Sequence, residues 1–107
     1  MINEIDSESL RKRLTDGEDL LLVDIRTPAE IAQGAIPDAL LMPMHLIPLR
    51  LSELPKEREI VVYCRSGARS YQACAYLMQQ GYERTLNLRG GIIAWARHGF
   101  PIESPTP

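Results

Sequence analysis

Residue types that often define a function are scarce in this sequence. The 107 residues include two cysteines, Cys64 and Cys74, and two histidines, His45 and His98. The cysteines are ten positions apart, so they form neither a disulfide framework nor the C-x-x-C spacing of a redox or zinc site. Neither histidine belongs to a pattern of metal ligands. We therefore expect free thiols and no metal site.

Long apolar runs and basic segments are also missing. No run approaches the roughly 20 apolar residues that span a bilayer, and the net charge of −2 gives no general attraction for nucleic acid. The N-terminus, MINEIDSESL, has no basic region followed by an apolar one, as a secretory signal would. We expect a cytoplasmic protein with neither a membrane nor a nucleic acid as partner. Its length predicts one domain over residues 1–107, with a proline-rich tail over 102–107.

Short apolar runs alternate with segments of helical periodicity. The runs predict strands, and the periodic segments, with their capping signals, predict helices. The strands are expected at 20–24, 39–42, 60–63 and 85–88, and the helices at 7–15, from the capping box at 27–30 to 34, at 46–54, at 70–80 and at 90–99. This alternation predicts a parallel sheet covered by helices on both sides. Sites in such sheets form beyond the carboxyl ends of the strands.

Cys64 stands at one of those strand ends, in the segment IVVYCRSGARS. A free cysteine has a pKa of about 8.5, and a helix N-terminus or a neighbouring cation lowers it. The segment supplies both, because a helix is expected to start near Ser70 and because Arg65 and Arg69 carry permanent positive charges. The pattern predicts a reactive thiolate. A buried structural thiol is the alternative.

The residues between the cysteine and the helix are small. Gly67 and Ala68 allow a tight turn in which successive backbone N–H groups point inward, and Ser66 and Ser70 add hydroxyl donors. Such a cradle would stabilise a persulfide or bind a phosphate or arsenate. Cysteine-dependent phosphatases use C-x5-R, but the sixth residue after the cysteine is Ser70 here. The shorter loop favours a single sulfur atom.

Three segments together resemble the rhodanese family of sulfurtransferases. They are DIRTPAEI at 24–31, CRSGARS at 64–70 and LRGGIIAW at 88–95. The resemblance implies a three-layer α/β/α fold around a central, mostly parallel five-stranded sheet. The chain departs from the family where histidine and glycine are common, since it has Ala35 and Asp38 there.

The same resemblance implies a mechanism. Sulfane sulfur would pass from a donor such as thiosulfate to Cys64, which would carry it as a persulfide without metal or organic cofactor. The backbone of 65–70 would hold the persulfide, and Arg65 and Arg69 would attract the anionic donor. The acceptor would be cyanide, a thiol, or a sulfur-carrier or thioredoxin-like protein. A monomer is the default expectation.

Residues outside the loop have less specific signals. Asp24 and Arg26 end the strand expected beside the active one, where Asp24 either pairs with Arg69 and supports the loop or has a local turn role. Glu30 is expected as a helix cap. Cys74 lies on an apolar helix face and is expected in the core, although a resolving role towards Cys64 is the alternative. Two other functions remain open: a non-catalytic binding or regulatory module, and, less favoured, a phosphatase or arsenate reductase of the same fold.

Overall fold

A five-stranded, entirely parallel sheet forms the centre of the protein in a computed structural model that describes residues 1–105. The strands stand in the order β1-β5-β4-β2-β3. Their bounds are β1 Asn3–Ile5, β2 Leu20–Asp24, β3 Leu40–Leu41, β4 Glu59–Tyr63 and β5 Thr85–Leu88. The active-loop strand β4 therefore lies in the middle of the sheet, between β5 and β2.

Helices cover both faces of this sheet. They are α1 Ser7–Thr15, α2 Pro28–Ala32, α3 Ala68–Gln79 and α4 Gly91–Arg97. On one face, α3 packs into a cluster that includes Cys74 and Leu77. On the other, α1 contributes Leu10 and α4 contributes Trp95 to a second cluster. The three-layer α/β/α arrangement predicted from the sequence is confirmed, and the sheet is wholly rather than mostly parallel.

The central strand β4 shows why the sequence has an unbroken apolar run at this point. Along β4, Ile60 and Val62 belong to one core cluster, whereas Val61 and Tyr63 belong to the other. Successive side chains of a strand point to opposite faces, so a strand covered on both sides needs apolar residues at every position. All four of these side chains are at most 1 % exposed.

Most predicted elements agree with the structure. The predicted strands are present, with the second shortened to Leu40–Leu41. The capping box at the start of α2 is confirmed: the Thr27 side chain accepts from the N–H of Glu30, and the Glu30 side chain accepts from the N–H of Thr27. The first strand, β1, was not located from the sequence. It has three residues and only Ile5 is buried, so it lacks an apolar run.

The helix expected over 46–54 is wrong. The structure has two short 3-10 turns instead, Met44–Leu46 and Leu51–Glu53. Pro48 lies between them, and a proline inside a helix both lacks the N–H and clashes with the carbonyl one turn earlier. A continuous helix over 46–54 is therefore interrupted at Pro48.

Of the two positions that depart from the family pattern, Ala35 lies just before a turn and Asp38 lies within it. Ala35 is buried, and its N–H and C=O each pair with the backbone of Glu103 in an antiparallel bridge. Asp38 has a φ of 66°, the left-handed conformation that glycine adopts most easily. The first part of the expected tail is thus tied to the domain, and Thr106 and Pro107 lie outside the described residues. None of the helices in residues 1–105 is long and apolar enough to cross a membrane.

Candidate active site

Cys64 follows β4 directly and is only 1 % exposed. The chain turns around its sulfur, so that the Gly67 N–H donates to Sγ at 3.1 Å and the Ser70 N–H at 3.4 Å. Gly67 makes the turn with a φ of 105°, and α3 begins at the next residue. The sulfur therefore lies at the N-terminus of a 12-residue helix, inside a partial ring of backbone amides.

The two thiols of the chain have opposite environments. Burial raises the pKa of the Cys64 thiol, but hydrogen bonds from Ser70, Gly67 and Ser66 lower it by more, so its pKa lies below the ordinary value. Cys74 is fully buried among apolar side chains, and burial raises its pKa to about 12. Its predicted place in the core is confirmed. At neutral pH, Cys64 is the thiol poised to ionise.

Arg69 and Arg65 have different surroundings, although the sequence suggested one role for both. Arg69 forms two hydrogen bonds with the carboxylate of Glu30, at 2.9 and 2.8 Å. This contact is the main cause that lowers the pKa of Glu30 to about 2. Arg65 is exposed, and within residues 1–105 it has no carboxylate partner. Arg65 therefore provides an uncompensated positive charge at the loop.

The proposed contact between Asp24 and Arg69 is wrong, because the carboxylate of Asp24 is occupied by Arg26. Arg26 Nη2 lies 2.7 Å from Asp24 Oδ2 in a buried ion pair, and the Arg26 N–H also donates to Asp24 Oδ1 at 3.0 Å. The local turn role is the one observed. The same guanidinium donates to the carbonyls of Gly34 and Glu30. Asp24 and Arg26 thus hold α2 at its middle and just beyond its C-terminus, and α2 carries Glu30, the partner of Arg69.

The N-terminal end of helix α4 hydrogen-bonds to the backbone of the active loop. The Ile92 N–H donates to the carbonyl of Cys64 at 3.0 Å, and the Ile93 N–H donates to that of Arg65 at 3.2 Å. Gly91 permits this contact, because a Cβ at that position would lie 2.4 Å from the Arg65 oxygen. Gly91, the second glycine of the LRGGIIAW segment, therefore determines how closely α4 approaches the loop.

Sequence reasoning missed two residues of the site, Asn87 and Glu4. Asn87 is 1 % exposed; its Nδ2 donates to Gly67 O at 3.1 Å and to Glu4 Oε2 at 2.9 Å. Its Oδ1 lies 2.5 Å from Ser70 Oγ, which is itself 3.4 Å from Cys64 Sγ. The available signal was the single amide side chain of β5, the strand beside the active one.

A shallow groove of about 220 Å³ lies beside Arg65, between the segment that carries α2 and helix α4. Its lining combines apolar side chains of α4 and the C-terminal segment with charged side chains from the segment after β2, from α2 and from the loop. Its lining includes Arg26, Glu30, Arg65, Ile93, Ala96 and Ile102. In the part of the chain that the structure describes, no three His, Cys, Asp or Glu residues are grouped so as to hold a metal ion. The groove meets the loop at Arg65, and Cys64 does not line it.

Fold and site together define an α/β domain with a buried cysteine at the carboxyl end of its central strand. The family model of the rhodanese-like domain matches residues 6–98, and the chain belongs to this family. A protein of Allochromatium vinosum named sulfurtransferase is 80% identical over 105 residues, covering 98% of each chain. A putative sulfurtransferase of Bacillus subtilis is 42% identical, covering 88% of this chain and 90% of its own.

The solved structures give the same assignment. A rhodanese-like domain protein from Staphylococcus aureus superimposes with a TM-score of 0.89 at 32% identity. The alignment covers 98% of this chain and all of the other. The expected fold family is therefore confirmed over nearly the full chain.

Proposed function

We propose that the protein is a sulfurtransferase that carries sulfane sulfur as a persulfide on Cys64. The observation that supports this most directly is the position of the sulfur: buried, ringed by the N–H groups of Gly67 and Ser70, and with a lowered pKa. Hydrogen-bond donors around a thiolate stabilise a negative charge at that point, and a persulfide places its charge one atom further out. The names of the two relatives agree with this proposal.

The first half-reaction loads the enzyme. The Cys64 thiolate attacks the outer sulfur of thiosulfate, a sulfur–sulfur bond forms, and the sulfur–sulfur bond of the donor breaks with release of sulfite. The charges balance, since a thiolate and a dianion give a persulfide anion and a dianion. Ala68 and Arg69 occupy the first turn of α3, where backbone N–H groups have no intrahelical acceptor. These groups are available to the outer sulfur.

The second half-reaction unloads it. A nucleophilic acceptor attacks the outer sulfur of the persulfide and Cys64 leaves as the thiolate, which regenerates the starting state. Cyanide would give thiocyanate, and a thiol or a sulfur-carrier protein would become persulfurated. The positive charge of the exposed Arg65 would attract an anionic donor or acceptor to the groove beside it.

A phosphatase of the same fold is the weaker alternative. A tetrahedral oxyanion needs a clamp of the C-x5-R type, and Ser70 occupies the position of that arginine. The nearest arginine, Arg69, is engaged by Glu30. Insensitivity of the protein to vanadate is expected.

Intact-protein mass spectrometry tests the proposal. After incubation with thiosulfate and desalting, the wild type should gain the mass of one sulfur atom, and cyanide should remove it. Cys64→Ser should show no gain, whereas Cys74→Ala should behave as the wild type. Absence of an adduct with thiosulfate and with polysulfide would contradict the enzyme assignment and favour the non-catalytic module.

A pair of arginine substitutions at the same edge of the sheet tests the role of Arg65. Arg65→Ala should raise KM for thiosulfate and reduce the dependence of kcat/KM on salt, because it removes the uncompensated charge. Arg89→Ala removes an equal charge, but one that lies 3.5 Å from the carboxylate of Glu4. Equal effects of the two substitutions would assign the attraction to overall charge rather than to Arg65.

A further inference from the structure

The hydroxyl of Ser70 has two neighbours that can both accept its single proton. Asn87 Oδ1 lies 2.5 Å from Ser70 Oγ, and Cys64 Sγ lies 3.4 Å away. A serine hydroxyl is one donor, so a proton directed to Asn87 is withheld from the sulfur. All three side chains are at most 1 % exposed, so solvent does not relieve this competition.

The orientation of the Asn87 amide follows from its other contacts. Its nitrogen has two protons and two acceptors, the carbonyl of Gly67 at 3.1 Å and the carboxylate of Glu4 at 2.9 Å. The reversed amide would direct an oxygen at two other oxygens. The Asn87 oxygen must therefore face Ser70, where it can only accept.

We propose that Asn87 is a positioning residue that competes with Cys64 for the Ser70 proton. Through Gly67 it holds the turn whose N–H groups surround the sulfur. Through Ser70 it limits the hydrogen bonding that the sulfur anion receives, which keeps the thiolate more basic and more nucleophilic than three full donors would leave it. The inference builds on the proposed role of Cys64 as the nucleophile.

Two single roles of Asn87 would have opposite consequences. If it only supports the turn, its loss loosens the N–H ring and moves the pKa of Cys64 towards that of a free thiol. If it competes for the proton, its loss releases the hydroxyl to the sulfur and lowers the pKa further. The second effect requires Ser70, and the first does not.

The experiment is the pH dependence of Cys64 alkylation by iodoacetamide, followed by intact mass. It needs no sulfur donor, so its outcome is independent of whether thiosulfate is a substrate. Cys64→Ser identifies the reacting thiol. Four proteins are compared: the wild type, Asn87→Ala, Ser70→Ala and the double variant.

The shift of the alkylation midpoint caused by Asn87→Ala should be more negative by about 0.5–1 pH unit when Ser70 is present than in the Ser70→Ala background, the size expected for one additional hydrogen bond to the anion. Loosening of the turn contributes to both shifts and cancels in this comparison. Equal shifts in the two backgrounds, or a more negative shift in the Ser70→Ala background, would overturn the proposal. Thr85→Ala is the matched control, since Thr85 is a buried polar residue of the same strand whose hydroxyl donates to Tyr82 O instead.

Ser70→Ala alone gives a second test that does not depend on the folding of an Asn87 variant. The Ser70 hydroxyl lowers the pKa of Cys64 only while its proton faces the sulfur. A hydroxyl held mainly by Asn87 contributes little to the thiolate, so the midpoint should move by less than about 0.3 pH unit. A rise of about 0.5–1 pH unit would show a hydroxyl committed to the sulfur, and would contradict the competition.

Discussion

A methyl group at position 91 should damage the active loop from outside it. Gly91 has a φ of 59°, and a Cβ built there would lie 2.4 Å from the carbonyl oxygen of Arg65 and 2.6 Å from that of Cys64. Both neighbours are backbone atoms, so no side chain can rotate away. Gly91→Ala must move either α4 or the loop.

The stability that Gly91→Ala is expected to lose has two contributions. An L-residue in the left-handed region costs about 1–2 kcal/mol, and overpacking a well-packed site costs about 1–3 kcal/mol more. Gly99 provides the matched control, because it has a φ of 75° but nothing within 4 Å of the position of its Cβ. We expect Gly99→Ala to lose only the first part, about 1–2 kcal/mol, and Gly91→Ala to lose about 2–5 kcal/mol in all.

Urea unfolding measures the stability, and the pH profile of Cys64 alkylation measures the loop. Gly99→Ala should retain the wild-type profile. Gly91→Ala should shift it towards that of a free thiol, with a pKa of about 8.5, because the displaced turn no longer directs its N–H groups at Sγ. Equal stability losses together with an unchanged profile would refute the reasoning that α4 positions the loop.

Three further predictions concern stability. Asp38→Gly should stabilise the protein by about 0.5–1 kcal/mol, because the φ of Asp38 is 66°, a conformation that glycine adopts more easily. Asp16→Gly is the control and should destabilise the protein, because the φ of Asp16 is −73°. An Asp38→Gly protein less stable to urea than Asp16→Gly would contradict this. Ser7→Ala should raise stability by up to about 1 kcal/mol, because the buried Ser7 hydroxyl has no partner within the described residues; a loss would reveal a bond. Arg69 lowers the pKa of Glu30 to about 2. The ion pair between the two residues therefore contributes its full stabilisation above about pH 4.5 and loses it as the pH falls towards 2. Wild type should therefore lose more stability than Glu30→Gln between pH 5 and 2; parallel losses would exclude the pair as the cause.

The sheet was predictable because its central strands are buried on both faces. Such strands require apolar residues at every position, and β2 and β4 show that requirement directly in the sequence. The edge strand β1 has no such requirement, since one side pairs with β5 and two of its three residues are exposed. Its position depends on backbone pairing, which leaves little trace in residue type.

The loop was predictable in composition but less so in its ion pairs. The tight turn at Gly67 and the following helix were predicted from local sequence, and the structure has both, with the helix beginning at Ala68 rather than near Ser70. The partner of Asp24 is local, and its turn role was one of the two alternatives that the sequence left open. The partner of Arg69, Glu30, depends on how α2 lies against the loop, which local sequence does not determine. Asn87 was missed for the same reason, because a single amide in a strand becomes informative only when its neighbours across the sheet are known.

The short strand β1 also sets a lower limit on how far the chain can be trimmed. The family match begins at residue 6, after β1 has ended. A fragment cut at that boundary would leave β5 as an open edge, with its N–H and C=O groups available to another chain. It would also lose Glu4, the anchor of Asn87. Such a fragment would retain every recognisable motif and yet be prone to self-association through the strand beside its active loop.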